Sequence, residues 1–331
     1  MVVVSFIGLI TVLLLPAVQS AREAARRAQC TQNLRQIGIA LHSYADTIGC
    51  FPLGTMLSGD PRFPGKGRPY CEYLVIDKGF LASILPQIEQ ASLFNSINHG
   101  LSLFSRENHT VLAVRVATYS CPSDPDAGRL RDGSLVNFLP FIPKGFDSHV
   151  KVATTSYACM HGPNTAMALP VLNGSTCIPP PDRVESVSGT IIEAGPIRPV
   201  SVSDGLSNTI IATEKATSSY RAFDAIVPNS TSQTAWWASG SFGDTLSTAL
   251  YPPNSYKITA LDADTMWIWF ASASSQHPGG VNALLGDGSV RFIKETIDSW
   301  PVETAGHSPS PRLWQALSTR NGGELASPGD Y

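Results

Sequence analysis

The chain has 331 residues, a formal net charge of −3 and a charged fraction of only 15%. Phosphate binding needs a clear excess of positive charge, so this balance argues against nucleic acid as the main partner. Glycine and proline are frequent, with 27 and 25 residues. That composition favours many short strands joined by turns over a helical bundle.

The first predicted element is a long helix. The chain begins MVVVSFIGLITVLLLPAV, an apolar run of about the minimum length that spans a bilayer. From Ala21 to Tyr44, apolar residues recur at helical spacing and helix-favouring residues dominate. We therefore predict one helix from about Val2 to Tyr44, kinked at Pro16 because proline removes a backbone hydrogen bond. The missing cationic n-region and the continued helical pattern favour a retained anchor over a cleaved signal peptide.

The rest of the chain predicts a β-rich domain. We expect a shorter helix near residues 81–98, mostly antiparallel strands with long loops, and a short helix near residues 311–318. Strands are predicted at Thr209–Thr213 and Val281–Leu285, and the second of these returns through an Asp-Gly turn as Ser289–Ile293. The sequence thus predicts an α+β fold, with a helix over residues 1–46 and a globular domain over residues 47–331.

Two motifs raise the question of catalysis or metal binding. His277 and Asp287 could form a dyad, but an extended strand between them separates the two by roughly 20–30 Å. We expect Asp287 to cap the turn and His277 to satisfy loop backbone. Asp204 and Asp124 lie in oxygen-rich turns and are weak calcium candidates, although neither sits in an EF-hand loop. No nucleophile elbow, His-Glu-x-x-His or Walker motif is present, so we predict neither an enzyme nor a bound cofactor.

The tryptophans and cysteines leave alternatives open. Trp236-Trp237 and Trp267-Ile268-Trp269 could form a carbohydrate platform, but on a strand Trp267 and Trp269 would share one face, and core packing is favoured. The cysteines, at positions 30, 50, 71, 121, 159 and 177, form no Cys-x-x-Cys pair. An even number behind a membrane-targeting segment is typical of a disulfide framework, whose connectivity the sequence does not determine.

Several motifs, in order, resemble one family. They are LLLPAVQSAREAARRAQCTQNLRQIGIALHSYADTIGCFPLG near the start, CPSD at 121–124, DGLSNT at 204–209, and His277 followed after nine residues by Asp287-Gly288. The chain resembles the pilin-like family of planctomycete-type bacteria that carries the domain of unknown function DUF1559, with its H-X9-DG signature. Those proteins are similar to type IV prepilins and to type II secretion pseudopilins.

The resemblance assigns roles to the first helix. Gly8 and Pro16 match the family's helix glycine and proline, and Leu13, Leu14 and Leu15 complete the stretch expected in the membrane and in assembly. On this alignment Met1 falls several residues inside the family's apolar helix, so the family's basic leader would lie upstream. Such a leader would also explain the arginines that follow the apolar run, which the positive-inside rule otherwise places in the cytoplasm.

The resemblance also implies a disulfide and a function. Cys30 and Cys121 stand where the family often has cysteine, so we predict a bridge that joins the helix to the domain. Cys159 and Cys177 are then expected to pair, which leaves Cys50 with Cys71. The implied function is a pilin- or pseudopilin-like subunit, anchored in the inner membrane with an extracytoplasmic domain and associating with similar subunits at the cell surface.

Two other functions remain as alternatives. The first is a membrane-tethered solute- or glycan-binding module that uses the tryptophans. The second, weaker, is a hydrolase that uses His277 with an acidic partner. An exposed aromatic cleft would favour the first, and clustering of His277 with Asp287 and a third polar group would favour the second.

Overall fold

The computed structural model describes residues 2–58, 75–133, 150–164, 171–173, 176–178, 187–192, 195–225, 234–260, 265–302 and 310–323. Its α-helices are α1 (Val2–Ile48), α2 (Phe80–Ser83), α3 (Ala91–Ser96), α4 (His109–Leu112), α5 (Met266–Ala271) and α6 (Leu313–Ala316). Its strands are β1 (Thr55–Ser58), β2 (Val75–Gly79), β3 (Leu130–Gly133), β4 (Val150–Ala153), β5 (Tyr157–Met160), β6 (Val171–Asn173), β7 (Thr176–Ile178), β8 (Ile210–Glu214), β9 (Leu246–Ser247), β10 (Gly280–Leu285) and β11 (Val290–Lys294).

The predicted long helix is confirmed and is slightly longer than expected. It runs for 47 residues, with Pro16 inside it, and is followed by Gly49 in a left-handed conformation with φ of 90°. Glycine adopts this conformation without the steric cost that other residues have. In its second half, one helical face is fully or almost fully buried; the residues are Cys30, Leu34, Ile37, Leu41 and Ala45.

A five-stranded sheet forms the centre of the domain. Its order is β11-β10-β8-β5-β9, and every pairing is antiparallel except the parallel pairing of β5 with β9. The domain is therefore α+β and mainly antiparallel, as predicted. All residues of β8 and β10 are buried, because α1 covers one face of the sheet and the cluster that includes Trp314 and Leu317 covers the other.

The helix α1 lies close to the hairpin of β10 and β11. A Cβ atom at Gly38 would come within 2.8 Å of Leu284 Cδ1, a separation that real side chains do not adopt. The guanidinium of Arg27 lies 3.5 Å from the ring centre of Phe292, which is a favourable cation–π geometry. The glycine and the arginine thus place the second half of α1 against the C-terminal hairpin.

The helix predicted for residues 81–98 is broken. The chain there forms α2, a 3₁₀ turn over Pro86–Ile88, and α3. Pro86 has no N–H for a helical hydrogen bond, and Glu89 has a left-handed φ of 63°. The apolar spacing in this segment does mark core residues, since Leu81, Leu85 and Leu93 are buried. Proline chemistry nevertheless overrides that spacing.

The predicted membrane span falls largely outside the described side chains. The backbone of residues 2–13 is helical, but the burial of Gly8 and the side chain of Leu13 lie outside the described part. Among the described residues, no helix is both long and apolar enough to cross a membrane.

Candidate functional site

The site is organised around His277, which lies in the loop before β10 and is completely buried. Its Nδ1 is 2.9 Å from Glu23 Oε1 and its Nε2 is 3.1 Å from Glu214 Oε1. Glu23 belongs to α1, and Glu214 is the last residue of β8. One imidazole therefore joins the long helix to the central strand of the sheet.

Both carboxylates are held by further hydrogen bonds. Glu214 accepts the backbone N–H of Asn282 at 2.7 Å and the Asn282 side-chain amide at 3.0 Å. Glu23 accepts the hydroxyl of Ser123 at 3.0 Å and pairs with the Arg26 guanidinium at 2.6 Å. Because β10 supplies Asn282, the register of β8 against β10 positions the Glu214 carboxylate. Buried charges persist only with partners of this kind.

A disulfide lies directly beside the histidine. Cys30 and Cys121 are bonded, which confirms the predicted bridge. Cys121 Sγ is 3.7 Å from His277 Nε2 and 3.8 Å from Glu214 Oε1. The sulfur, nitrogen and carboxylate donors of Cys30, Cys121, Glu214 and His277 all lie within 4.8 Å of one another.

The electrostatics favour a charged histidine between the two carboxylates. Burial alone would lower the pKa of His277, but the hydrogen bonds to Glu214 and Glu23 and their negative charges outweigh it and raise the pKa. Burial would likewise raise the pKa of Glu23, but its bonds to His277, Arg26 and Ser123 lower it. An imidazolium has a donor on each ring nitrogen, so it can donate to Glu23 and Glu214 together.

The site has little free space. A cavity of about 10 Å³ beside it is lined by residues that include Cys121, Glu214, Lys215 and Ser274, and this volume is close to the minimum that holds one water molecule. In the described part of the chain, the His277 network and the disulfide beside it bring together groups that can hold the helix, exchange protons or bind an ion.

The structure separates the two residues of the H-X9-DG motif. His277 was predicted to satisfy loop backbone, and this is wrong, because its ring binds Glu23 and Glu214 instead. Asp287 is exposed and accepts the backbone N–H of Ser289 at 2.9 Å, as predicted for a turn cap. Gly288 follows with φ of 85°. The motif therefore contributes one buried histidine and one hairpin turn.

The weak calcium candidates bind the protein's own donors. Asp124 accepts the backbone N–H and the hydroxyl of Thr217 at 2.6 and 2.9 Å. Asp204 accepts the backbone N–H groups of Gly322 and Gly323 at 2.7 and 2.9 Å. Each carboxylate thus fixes a remote segment of chain.

The tryptophan pairs do not form a platform. Trp236 and Trp237 are buried in the main core. Trp267 and Trp269 lie on helix α5, so they do not share the one face that a strand would give them. A helix turns successive residues by about 100°, which leaves Trp267 54% exposed and buries Trp269. Of the six tryptophans, all in the described part, only Trp267 is exposed.

The other predicted disulfides fall on residues that are only partly described. Cys159 is buried, with its sulfur 3.7 Å from the carbonyl oxygen of Ile191, but the side chain of Cys177 lies outside the described part. Cys71 also lies outside it. Cys50 has a free thiol, so its predicted pairing with Cys71 is wrong, whereas the pairing of Cys159 with Cys177 stays a prediction.

The comparison with protein families adds one finding. A family model described as a protein of unknown function, DUF1559, matches residues 19–299. The chain belongs to this family. No curated protein and no solved structure matches it. The family match begins near the end of the apolar run, so it covers the second half of α1, the disulfide and all three members of the Glu23–His277–Glu214 network.

Sequence reasoning missed the two acidic partners of His277. Glu23 is one of several charged residues after the apolar run, and Glu214 lies beyond the DGLSNT motif. One signal was available for Glu214. It ends the strand Ile-Ile-Ala-Thr-Glu, and a carboxylate that closes so apolar a strand needs a buried partner. No comparable signal marked Glu23, whose partner is 254 positions away.

Proposed function

We propose that the protein is a structural, pilin- or pseudopilin-like subunit that is anchored in a membrane by the first half of α1 and associates with similar subunits through that helix. The proposal places the globular domain outside the cytoplasm and assigns the protein no enzymatic activity. It rests on the division of α1 into two parts with opposite environments.

The observation that carries the proposal is the exposure of the first described side chains of α1. Every residue from 14 to 22 is exposed. Since a helix completes a turn in 3.6 residues, these nine residues face all directions, and none of them is covered by the domain. Leu14, Leu15 and Val18 are 55%, 60% and 45% exposed. An apolar helix that projects in this way needs a lipid or protein environment.

The second half of α1 supplies the rigid attachment that such a subunit needs. Its buried face packs on the sheet, the Cys30–Cys121 bond crosslinks it to the domain, and His277 binds Glu23 at the start of this half. The side-chain amide of Asn33 donates to the carbonyl of Ser120 at 2.9 Å. These contacts lie on one side of the helix, and together they fix the direction in which its first half leaves the domain.

The anchor is tested by membrane partition of the full chain in a bacterial host. We expect the wild type in the membrane fraction, resistant to carbonate extraction. The double substitution Leu14→Asp with Leu15→Asp should move most of the protein to the soluble fraction, because aspartate is costly in lipid. Formation of the Cys30–Cys121 bond, read from non-reducing peptide maps, checks that the variant still folds.

The control places one aspartate on the surface of the domain instead. Val200 is 81% exposed on the domain, so Val200→Asp changes surface hydrophobicity without touching α1. It should leave partition unchanged. A wild-type chain that stays soluble, or a Val200 variant that shifts as far as the helix variant, would contradict the proposed anchor.

The alternative of a glycan- or solute-binding module has less support. It needs several aromatic side chains on one accessible surface, and among the tryptophans only Trp267 is exposed.

A further inference from the structure

Once their disulfide is reduced, Cys30 and Cys121 together with Glu214 and His277 have the composition of a zinc site. Two thiolates, one imidazole and one carboxylate are ligands that Zn²⁺ binds in proteins, in tetrahedral geometry, at about 2.0–2.3 Å. Such a geometry places neighbouring donors about 3.3–3.8 Å apart. Cys121 Sγ is already 3.7 Å from His277 Nε2 and 3.8 Å from Glu214 Oε1. All four residues are buried, and their donors lie within 4.8 Å of one another.

The neighbouring residues hydrogen-bond to His277 and Glu214 and fix their orientation, as the hydrogen-bond partners of ligands do in metal sites. A metal-bound histidine usually donates its other ring N–H to a carboxylate, which fixes the tautomer and the ring orientation. Here Glu23 Oε1 lies 2.9 Å from His277 Nδ1 and leaves Nε2 facing Cys121 and Glu214. The backbone N–H and side-chain amide of Asn282 orient the Glu214 carboxylate in the same way.

The disulfide and the metal exclude each other. While the Cys30–Cys121 bond is intact, its sulfurs carry no thiolate charge and bind zinc poorly. Exchange with a dithiol breaks this S–S bond: the dithiol gives up two electrons and two protons and becomes a disulfide, and Cys30 and Cys121 become thiols. Each thiol, and the imidazolium at Nε2, then releases a proton as the sulfur or nitrogen binds the metal.

We propose that, when this disulfide is reduced, Cys30, Cys121, Glu214 and His277 form a Zn²⁺ site that replaces the disulfide as the link between α1 and the domain. Cys30 lies on α1, Glu214 on β8 and His277 in the loop before β10. A metal bound by all of them joins the same elements that the disulfide and the histidine join in the oxidised state. The helix is thus held in both redox states. Zinc holds it while the cysteines are reduced, and the disulfide holds it once they are oxidised.

The site is tested with cobalt as a spectroscopic probe. The full chain is reduced with a phosphine and titrated with Co²⁺ without oxygen. We expect one equivalent to bind, with visible absorption typical of tetrahedral cobalt and a thiolate-to-cobalt charge-transfer band in the near ultraviolet. One equivalent of Zn²⁺ should abolish both signals, and the oxidised protein should show neither of them.

Three variants separate this site from the other thiols. Serine at Cys50, Cys71, Cys159 and Cys177 together should leave the cobalt spectrum unchanged. Serine at Cys30 and Cys121 together should remove the charge-transfer band. His277→Ala should weaken Co²⁺ binding at least about tenfold, the usual cost of losing a ligand or its support. A spectrum that persists without Cys30 and Cys121, or that disappears in the fourfold serine variant, would overturn the proposal.

A second measurement covers loss of fold on reduction. The Tm of the reduced full chain is recorded with and without one equivalent of Zn²⁺ added before the reductant. A ligand that binds only the folded state raises Tm, so we expect a zinc-dependent rise that is absent in the Cys30→Ser, Cys121→Ser variant. A reduced chain whose Tm and cobalt spectrum do not respond to metal contradicts the site, whether or not that chain stays folded.

Discussion

At the scale of single residues, the molecule concentrates buried charge in a few networks with complete hydrogen bonding. His277 is enclosed by Glu23 and Glu214, and Glu214 accepts two donors from Asn282. The two glutamates differ in their surroundings. Glu214 is 2% exposed, whereas the Glu23 side chain is 28% exposed. This difference sets how much each carboxylate contributes to stability.

Loss of Glu214 should destabilise the fold far more than loss of Glu23. Glu214→Ala leaves Nε2 of His277 and both Asn282 donors buried without their acceptor, which costs about 3–5 kcal/mol. Glu23→Ala removes a partner that water can replace, at a cost of about 1 kcal/mol. Urea unfolding of both variants measures the two effects. Equal losses, or a larger loss for Glu23→Ala, would show that the buried carboxylate is not the main support of His277.

A second network makes stability depend on pH. Burial alone would raise the pKa of Asp126, but the hydrogen bond to Arg221 and the charges of Arg221, Arg131 and Arg129 lower it from its usual 3.8. A carboxylate with a lowered pKa contributes stability above its unfolded pKa, and this contribution is lost as the pH falls through the folded value. Arg221→Ala should therefore lower stability at pH 7 and have little effect near pH 2.

Urea midpoints measured from pH 2 to 7 test the contribution of Asp126. Arg312→Ala is a suitable control because Arg312 forms an exposed ion pair with Asp298, a type of pair that contributes little. Its stability should follow that of the wild type at every pH. A difference between Arg221→Ala and the wild type that stays constant down to pH 2 would rule out Asp126 as the titrating group.

At the scale of secondary structure, close contact between α1 and the β10–β11 hairpin depends on Gly38. A side chain there meets Leu284. Gly38→Val should lower the free energy of unfolding by about 1–3 kcal/mol, the usual cost of overpacking, although glycine is itself a poor helix former. Ile39→Val is the control, since Ile39 is 69% exposed and should tolerate the change. Thermal unfolding of both variants tests this prediction. Equal Tm values would show that α1 does not need a close approach to the β10–β11 hairpin at Gly38.

The sequence predicted those elements whose conformation is determined by residues close to them in the chain. Two local signals are the helical spacing from Ala21 to Tyr44 and the Asp-Gly turn before β11. The structure confirms the elements that they predict, α1 and the hairpin of β10 and β11. The helix predicted for residues 81–98 failed where Pro86 overrode the apolar spacing. The candidate site is a different case, because Glu23, Glu214 and His277 are far apart in sequence and meet only through the packing of α1 on the sheet. The family resemblance led to Cys30 and Cys121, but it did not indicate which carboxylates surround His277.

The Cys30–Cys121 bond links two segments that are 91 positions apart. Closing so long a loop restricts the unfolded chain, so replacing both cysteines with serine should cost about 2–5 kcal/mol. The measurement is the Tm of the oxidised protein against that of the double variant, without reductant or metal. Adding a reductant should lower the Tm of the wild type more than that of the variant. A wild type whose Tm does not respond to reductant would contradict a stabilising role of the Cys30–Cys121 disulfide.

At the scale of the whole molecule, the protein combines a rigid domain with a helix whose first described residues have no covering neighbour. The disulfide, the histidine network and the buried face of α1 all lie after Arg22, at the end of the helix that the domain holds. The proposed function assigns the first half of the helix to lipid or to other subunits. This division of one helix into a projecting part and a docked part is the basis of the proposed structural function.

The proposed function predicts that the first halves of α1 from neighbouring subunits pack together in a filament. Electron microscopy of the sheared surface fraction of cells that make the full chain tests it most directly, with gold-labelled antibodies against the globular domain. We predict labelled filaments in the wild type and none in the Leu14→Asp, Leu15→Asp variant. Label found only on dispersed single molecules or on filament-free membrane in the wild type would contradict the account.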